Sequence, residues 1–124
     1  ARVPAAELVR IEIGDGGEVW SDYVVPDHFQ GYRGVVHGGI LATLLDEVMA
    51  HSVLRAGPGS AATAQLEIRY RQPAQVGETL RIEAQVERIN GRRIHVTGRI
   101  RNGGGAVVAE GQSLFLRVAA PTSR

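Results

Sequence analysis

Two neighbouring carboxylates, Asp46 and Glu47, follow a His37-Gly38-Gly39 turn, with nine positions separating His37 from Asp46. Between them apolar residues fall at 40, 41, 44, 45, 48 and 49, the spacing of one helical face. The pattern predicts a helix from about Gly39 to about Arg55, some 25 Å long at about 1.5 Å per residue. Its apolar face centres near Leu41, Val48 and Ser52, while Asp46 and Glu47 flank the opposite side with Thr43 and Ala50. Small apolar residues fill the lines between, so the helix reads as buried nearly all round. A buried helix carrying two adjacent carboxylates is not a plain amphipathic surface helix. Two glycines at its start leave the first backbone N–H groups open, and with the helix dipole these favour an oxygen bearing negative charge. The chemistry on offer is acid–base or nucleophilic work by a carboxylate, close to a cradle for such an oxygen.

Other chemistries find less support. The chain has no cysteine, so thiolate nucleophiles, thiolate metal sites and disulfides are excluded, and a cytoplasmic location is expected. His28 and His51 lack the helical histidine spacing of a ligand pair, so no metal is expected. Ser60 and Ser113 stand outside any nucleophile-elbow pattern. A net charge of +1 gives no field for nucleic acid. All fourteen cations are arginine, the better phosphate fork. No apolar run approaches the ~20 residues that span a bilayer, and the start lacks a signal-peptide pattern.

The elements that must position the helix are strands. At 124 residues, 44% hydrophobic and 22% charged, the chain is expected to form one domain over residues 1–124 with a real core. Residues 1–6 and the tail from 119 to 124 read as loose. Glu7–Ile13 and Glu18–Val25 read as a hairpin about Gly14-Asp15-Gly16-Gly17. An irregular stretch over 27–36, rich in glycine and aromatics, leads into the helix, which stops at Gly57-Pro58-Gly59. Beyond it, period-two runs over 61–71, 79–90 (with a slip before Ile89), 94–102 and 106–118 predict a long antiparallel meander. The order β-β-α-β-β-β-β predicts an α+β fold in which a curved antiparallel sheet wraps one central helix. Unpaired edges of that sheet predict dimerisation.

At this point the residues carry a specific resemblance. Gly34-Val35-Val36-His37-Gly38-Gly39 with Asp46 nine residues beyond His37 resembles the signature of hotdog-fold acyl-CoA thioesterases, in particular the phenylacetic-acid-degradation group and the small human enzymes. Thr63 with Tyr70 seven residues later, then Pro73 and Val76-Gly77-Glu78, is similar to the strand after that family's helix. Gly91-Arg92-Arg93 before a strand also matches. The resemblance runs from about Val19 to Val118.

It implies hydrolysis of an acyl-CoA to free acid and coenzyme A, with no cofactor beyond the coenzyme A of the substrate. It implies a homodimer or homotetramer with active sites at the dimer interface. Asp46 is then the catalytic carboxylate, as general base or nucleophile, and the Gly39 amide polarises the thioester carbonyl with Gly38 beside it. His37 supports the turn or touches substrate. Glu47 pairs with an arginine, faces a partner subunit or shares a proton with Asp46. Thr63 sets its hydroxyl near the attacking water, and Arg92 and Arg93 touch coenzyme A phosphates. Tyr32 and Phe29 line the acyl pocket or plug the loop. One departure stands out. Where the phenylacetyl-type enzymes commonly have asparagine this chain has Gly31, with Gln30 as the candidate substitute. Two alternatives remain: a non-catalytic acyl-CoA-binding protein, and a hotdog dehydratase or hydratase. His28-Phe29-Gln30-Gly31 resembles the dehydratase histidine loop, but those enzymes have a helix glutamate where this chain has Ala42.

Overall fold

The computed structural model describes residues 10–57 and 59–118. The loose ends expected at 1–6 and 119–124, and residues 7–9 of the expected first strand, lie outside the described residues. The elements are β1 (Glu12–Ile13), β2 (Val19–Val24), a 3-10 turn (Asp27–Phe29), β3 (Gln30–Tyr32), β4 (Val35–Val36), α1 (Gly38–Ala56), β5 (Ala61–Tyr70), β6 (Thr79–Asn90), β7 (Arg93–Arg101) and β8 (Val107–Arg117). Six strands form one curved antiparallel sheet in the order β1-β2-β6-β7-β8-β5, and α1 lies in its concavity.

Three expectations need correction. Among the described residues the first strand is only Glu12–Ile13, because Arg10 and Ile11 make no ladder and both strand residues are exposed. The stretch 27–36 is not wholly irregular. It holds a 3-10 turn and the small β3–β4 hairpin, whose strands are too short to show a period of two. The four long strands do not form one consecutive meander either. β5 pairs with β8, not with β6, which puts it on the far edge. Residues 71–78 carry the chain back across, and backbone bonds of 2.8 Å from Val36 N to the Ala74 carbonyl and 3.0 Å from Val76 N to the Gly34 carbonyl moor that crossover beneath the helix start.

The inward residues of alternate strand positions meet α1. Leu44, Leu45, Val48 and Met49 are fully buried, each contributing about 1.5–3 kcal/mol of transfer free energy. The helix is not buried all round. Thr43, Asp46, Glu47 and Ala50 are half-buried and Leu54 is exposed, so the carboxylate side faces outward from the single chain. Close approach of helix to sheet depends on two facing glycines, Gly98 on β7 and Gly111 on β8, which are cross-strand partners. A Cβ at Gly98 would lie 3.0 Å from Leu45 Cδ1 and Met49 Cε, and one at Gly111 2.9 Å from Leu45 Cδ2.

Candidate active site

β5 forms one wall of the site, and its key feature is a bulge. Its register with β8 pairs Thr63 with Phe115 and then Gln65 with Leu114, so Ala64 is an extra residue. Strand side chains alternate faces, and Thr63 and Tyr70 are seven apart, an odd number that would put them on opposite sides of a regular strand. The extra residue restores the phase, and both point toward α1.

Each then touches the helix. The Thr63 hydroxyl donates to Asp46 Oδ1 at 2.9 Å. Asp46 Oδ2 has no hydrogen-bond partner among the described residues and is left for other work. Eight residues earlier on the helix, the Tyr70 phenol donates to the Gly38 carbonyl at 2.9 Å.

The helix start is closed from the other side by His37. It is the N-cap, and its Nδ1 accepts from Gly39 N at 2.9 Å. Acceptance at Nδ1 puts the proton of the neutral ring on Nε2. The Gly39 amide is therefore engaged, and the first open donor is the Gly38 N–H, which has no partner among the described residues. The glycines here serve close approach and not positive φ, since neither Gly38 nor Gly39 lies in the left-handed region. A Cβ at Gly39 would sit 3.0 Å from His37 Nδ1.

Gly31 has the same explanation. A Cβ there would meet the His37 Cα and Cδ2 at 3.1 Å, so the cap histidine occupies the space that a side chain at 31 would need. Gln30 does not fill the gap as expected. Its Oε1 accepts from Gly34 N at 2.6 Å, closing its own hairpin, although the residue also lines a cavity of about 270 Å³ with His28, Phe29, His37 and Ile40. Tyr32 is 80% exposed, so it does not plug the core, whereas Phe29 packs against the core and its ring lies tilted against His28, with the ring centres 4.4 Å apart.

Glu47 lies away from the Asp46–Thr63 pair. Its Oε2 is 3.3 Å from His51 Nε2 one turn along, so its partner is a histidine rather than an arginine. The glutamate–histidine i, i+4 spacing was the signal for that pair. Arg92 and Arg93 diverge. Arg92 Nε donates to the Arg117 carbonyl at 3.0 Å, at the sheet end nearest Thr63. Arg93 precedes inward Ile94 and so faces outward, where it lines a groove of about 460 Å³ with Arg88 and His95. The structure thus forms two groups along α1, Asp46 with Thr63 and, roughly 10 Å earlier at about 1.5 Å per residue, Gly38 and Gly39 with His37, and leaves Glu47, Arg92 and Arg93 outside that two-part cluster. The contact of Tyr70 with the Gly38 carbonyl and the bulge at Ala64 are the features that the sequence did not disclose. Among the described residues no group of three or more His, Asp or Glu side chains could hold a metal ion, and no helix is long and apolar enough to cross a membrane.

The thioesterase superfamily model matches residues 33–109, the span from the hairpin turn to β8 that holds every residue of this cluster. The chain belongs to the thioesterase superfamily. It is 33% identical over 75 residues to the acyl-coenzyme A thioesterase THEM4 of Mus musculus, which covers 60% of this chain and 32% of that protein. The chain spans between 28% and 41% of the length of the curated relatives it matches. Among solved structures, a phenylacetic acid degradation-related protein of Ralstonia eutropha JMP134 is 33% identical, with a TM-score of 0.82 over 94% of this chain and 92% of that one. A Streptococcus mutans protein bound to acetyl CoA, 24% identical, shares the fold with a TM-score of 0.85 over 98% and 96% of the two chains. This thioesterase-superfamily chain thus has the hotdog arrangement of a curved sheet about one helix.

Proposed function

We propose that this chain hydrolyses acyl-CoA thioesters to the free acid and coenzyme A, with Asp46 as general base or nucleophile. The observation that carries the reading is the Thr63–Asp46 hydrogen bond, which fixes Oδ1 and leaves Oδ2 unpartnered on the helix that begins with two glycines. The acetyl CoA bound by the Streptococcus mutans relative and the acyl-coenzyme A thioesterase relatives support the substrate class.

As a base, Oδ2 takes a proton from water while the hydroxide oxygen attacks the thioester carbonyl. The carbonyl oxygen, now negative, is held by N–H groups at the helix start of the partner copy, since those of the same chain lie roughly 10 Å from Asp46 along the helix, and the dipole there favours it. Collapse breaks the C–S bond, and the proton on Asp46 passes to the leaving thiolate. As a nucleophile, Oδ2 itself attacks, coenzyme A leaves, and water then cleaves the mixed anhydride. Gly38 N–H is the donor open at once. The Gly39 amide joins it when the exposed His37 imidazole turns aside. Arg92 and Arg93 would meet coenzyme A phosphates, for which a guanidinium fork is suited. Two copies pair along the unpaired ten-residue edge of β5, completing each site at the interface. Dimers and tetramers both use such edges, and the cytoplasm is the compartment proposed.

Thiol release from short, medium, long and aromatic acyl-CoAs tests the reading on wild type and Asp46→Asn. Turnover of one class that falls by about a hundredfold or more in the variant supports it. Binding of acyl-CoA without turnover gives first place to the sensor reading. A single turnover in ¹⁸O-water separates the two roles, since label entering Asp46 marks the nucleophile.

A further inference from the structure

We infer that Tyr70 is a positioning residue for the carbonyl-polarising peptide of this site. The inference rests on the hydrolase reading above and extends it to a group outside the reacting set.

The Gly38 carbonyl and the Gly39 N–H are two ends of one peptide unit. The Tyr70 phenol donates to the first at 2.9 Å, and His37 Nδ1 accepts from the second at 2.9 Å. The unit is held at both ends, which fixes its plane. A peptide whose oxygen accepts a hydrogen bond is more polarised, so its N–H becomes a stronger donor. The phenol therefore strengthens the N–H that would face the developing oxyanion once His37 gives way to substrate. Helix geometry supplies only part of this. As a first-turn carbonyl the Gly38 oxygen is placed to accept the helix's own bond, and the phenol adds a second donor to it, while the glycine on each side of the peptide leaves its plane free to rock.

The ring is also placed to do this and little else. It lies 3.6 Å from where a Gly38 Cβ would be, which is ordinary contact, and the residue is 53% exposed, so it contributes little to the core. The bulge at Ala64 brings Thr63 to the same side of β5 as Tyr70. One strand thus sets the carboxylate through Thr63 and the oxyanion donor through Tyr70.

Tyr70→Phe removes one oxygen and keeps the ring. The expected result is a fall in kcat of about tenfold, below the loss from deleting a donor outright. KM and melting temperature change little, and the Gly39 amide proton resonance moves upfield. Site-specific 3-fluorotyrosine at position 70, a more acidic phenol assayed where it stays protonated, raises kcat above wild type. A merely structural role would shift the amide resonance but would not move kcat with phenol acidity. Active wild type with unchanged kcat in Tyr70→Phe, or an unmoved Gly39 amide, overturns the inference and leaves the hydrolase reading standing. Wild type that releases no thiol from any acyl-CoA overturns the hydrolase reading, and the inference falls with it.

Discussion

Replacing Gly111 by alanine places one methyl group where the sheet and helix come closest. The new Cβ would lie 2.9 Å from Leu45 Cδ2, 3.1 Å from the Glu67 carbonyl oxygen and 3.5 Å from Met49 Cε. Carbon atoms in good contact sit about 3.5–4.0 Å apart, so Leu45 must retreat by roughly 0.6 Å or more. It is fully buried, and the Glu67 oxygen is backbone. Overpacking of this kind costs about 1–3 kcal/mol, against roughly 0.4–1 kcal/mol recovered by stiffening the unfolded chain. The net loss is about 1–2 kcal/mol, a drop of roughly 3–8 °C in melting temperature for a domain of this size. Activity falls as well, because Glu67 lies on β5 between Thr63 and Tyr70 and Leu45 adjoins Asp46. Thermal unfolding and thiol release measure the two effects. The cause is tested by Leu45→Ala, which alone costs about 2–5 kcal/mol by opening a cavity. Combined with Gly111→Ala it should cost about 1–2 kcal/mol less than the sum, since the methyl then enters vacated space. A Gly111→Ala protein that melts at or above wild type, or a strictly additive double variant, would refute the packing account.

Other expectations follow from groups outside the site. The Tyr23 phenol is buried with no hydrogen-bond partner among the described residues, so Tyr23→Phe should leave stability unchanged or raise it by up to about 1 kcal/mol in urea unfolding at neutral pH. Burial also raises the Tyr23 pKa above 10.0, so unfolding lets it ionise and stability falls as pH climbs past 10.0; the Phe variant should lose less in that range. Asp22 is held below the ordinary carboxylate value of 3.8 by its hydrogen bonds to Arg81. Its stabilisation is therefore present above pH 3.8 and fades as pH falls through its lower folded-state pKa. Asp22→Asn should flatten the acid limb of the stability curve by less than about 1 kcal/mol, because the pair is substantially exposed. Gly31→Asn, which installs the residue common in the phenylacetyl-type group, should lower the melting temperature, because its Cβ would lie 3.1 Å from His37 Cα; an unchanged or higher melting temperature would show that His37 yields without cost.

Much of this site was legible in the chain. The 3.6-residue spacing of 40, 41, 44, 45, 48 and 49 located the helix to within a residue at each end, and the period-two runs located the long strands. The carboxylate pair Asp46 and Glu47 and the glycines Gly38 and Gly39 were placed on the helix by its geometry, while the choice of Asp46 over Glu47 rested on the family resemblance. The order of strands in the sheet did not, because pairing of β5 with β8 depends on which edge is free and not on any local pattern. The half-exposed carboxylate side of α1 was also hidden, since small apolar residues read as buried whether or not anything covers them. His37 as an N-cap was invisible for a different reason. Histidine is not a usual cap, and only the approach of its Nδ1 to Gly39 N makes it one. The Glu47–His51 contact is legible in the i, i+4 spacing of a carboxylate and an imidazole on one helix.

The extra residue in β5 has a consequence for how this protein can vary. Substitutions at the outward positions Gln65, Glu67 and Arg69 leave the two hydroxyls of Thr63 and Tyr70 where they are. A change in length does not. Removing one residue between 63 and 70 would turn one hydroxyl to the opposite face, since each strand step reverses the side chain. The segment therefore acts as a ruler with a parity. It tolerates changes of chemistry along its outer edge, yet a single insertion or deletion would uncouple the carboxylate's anchor from the helix-start anchor while leaving every functional residue in the sequence.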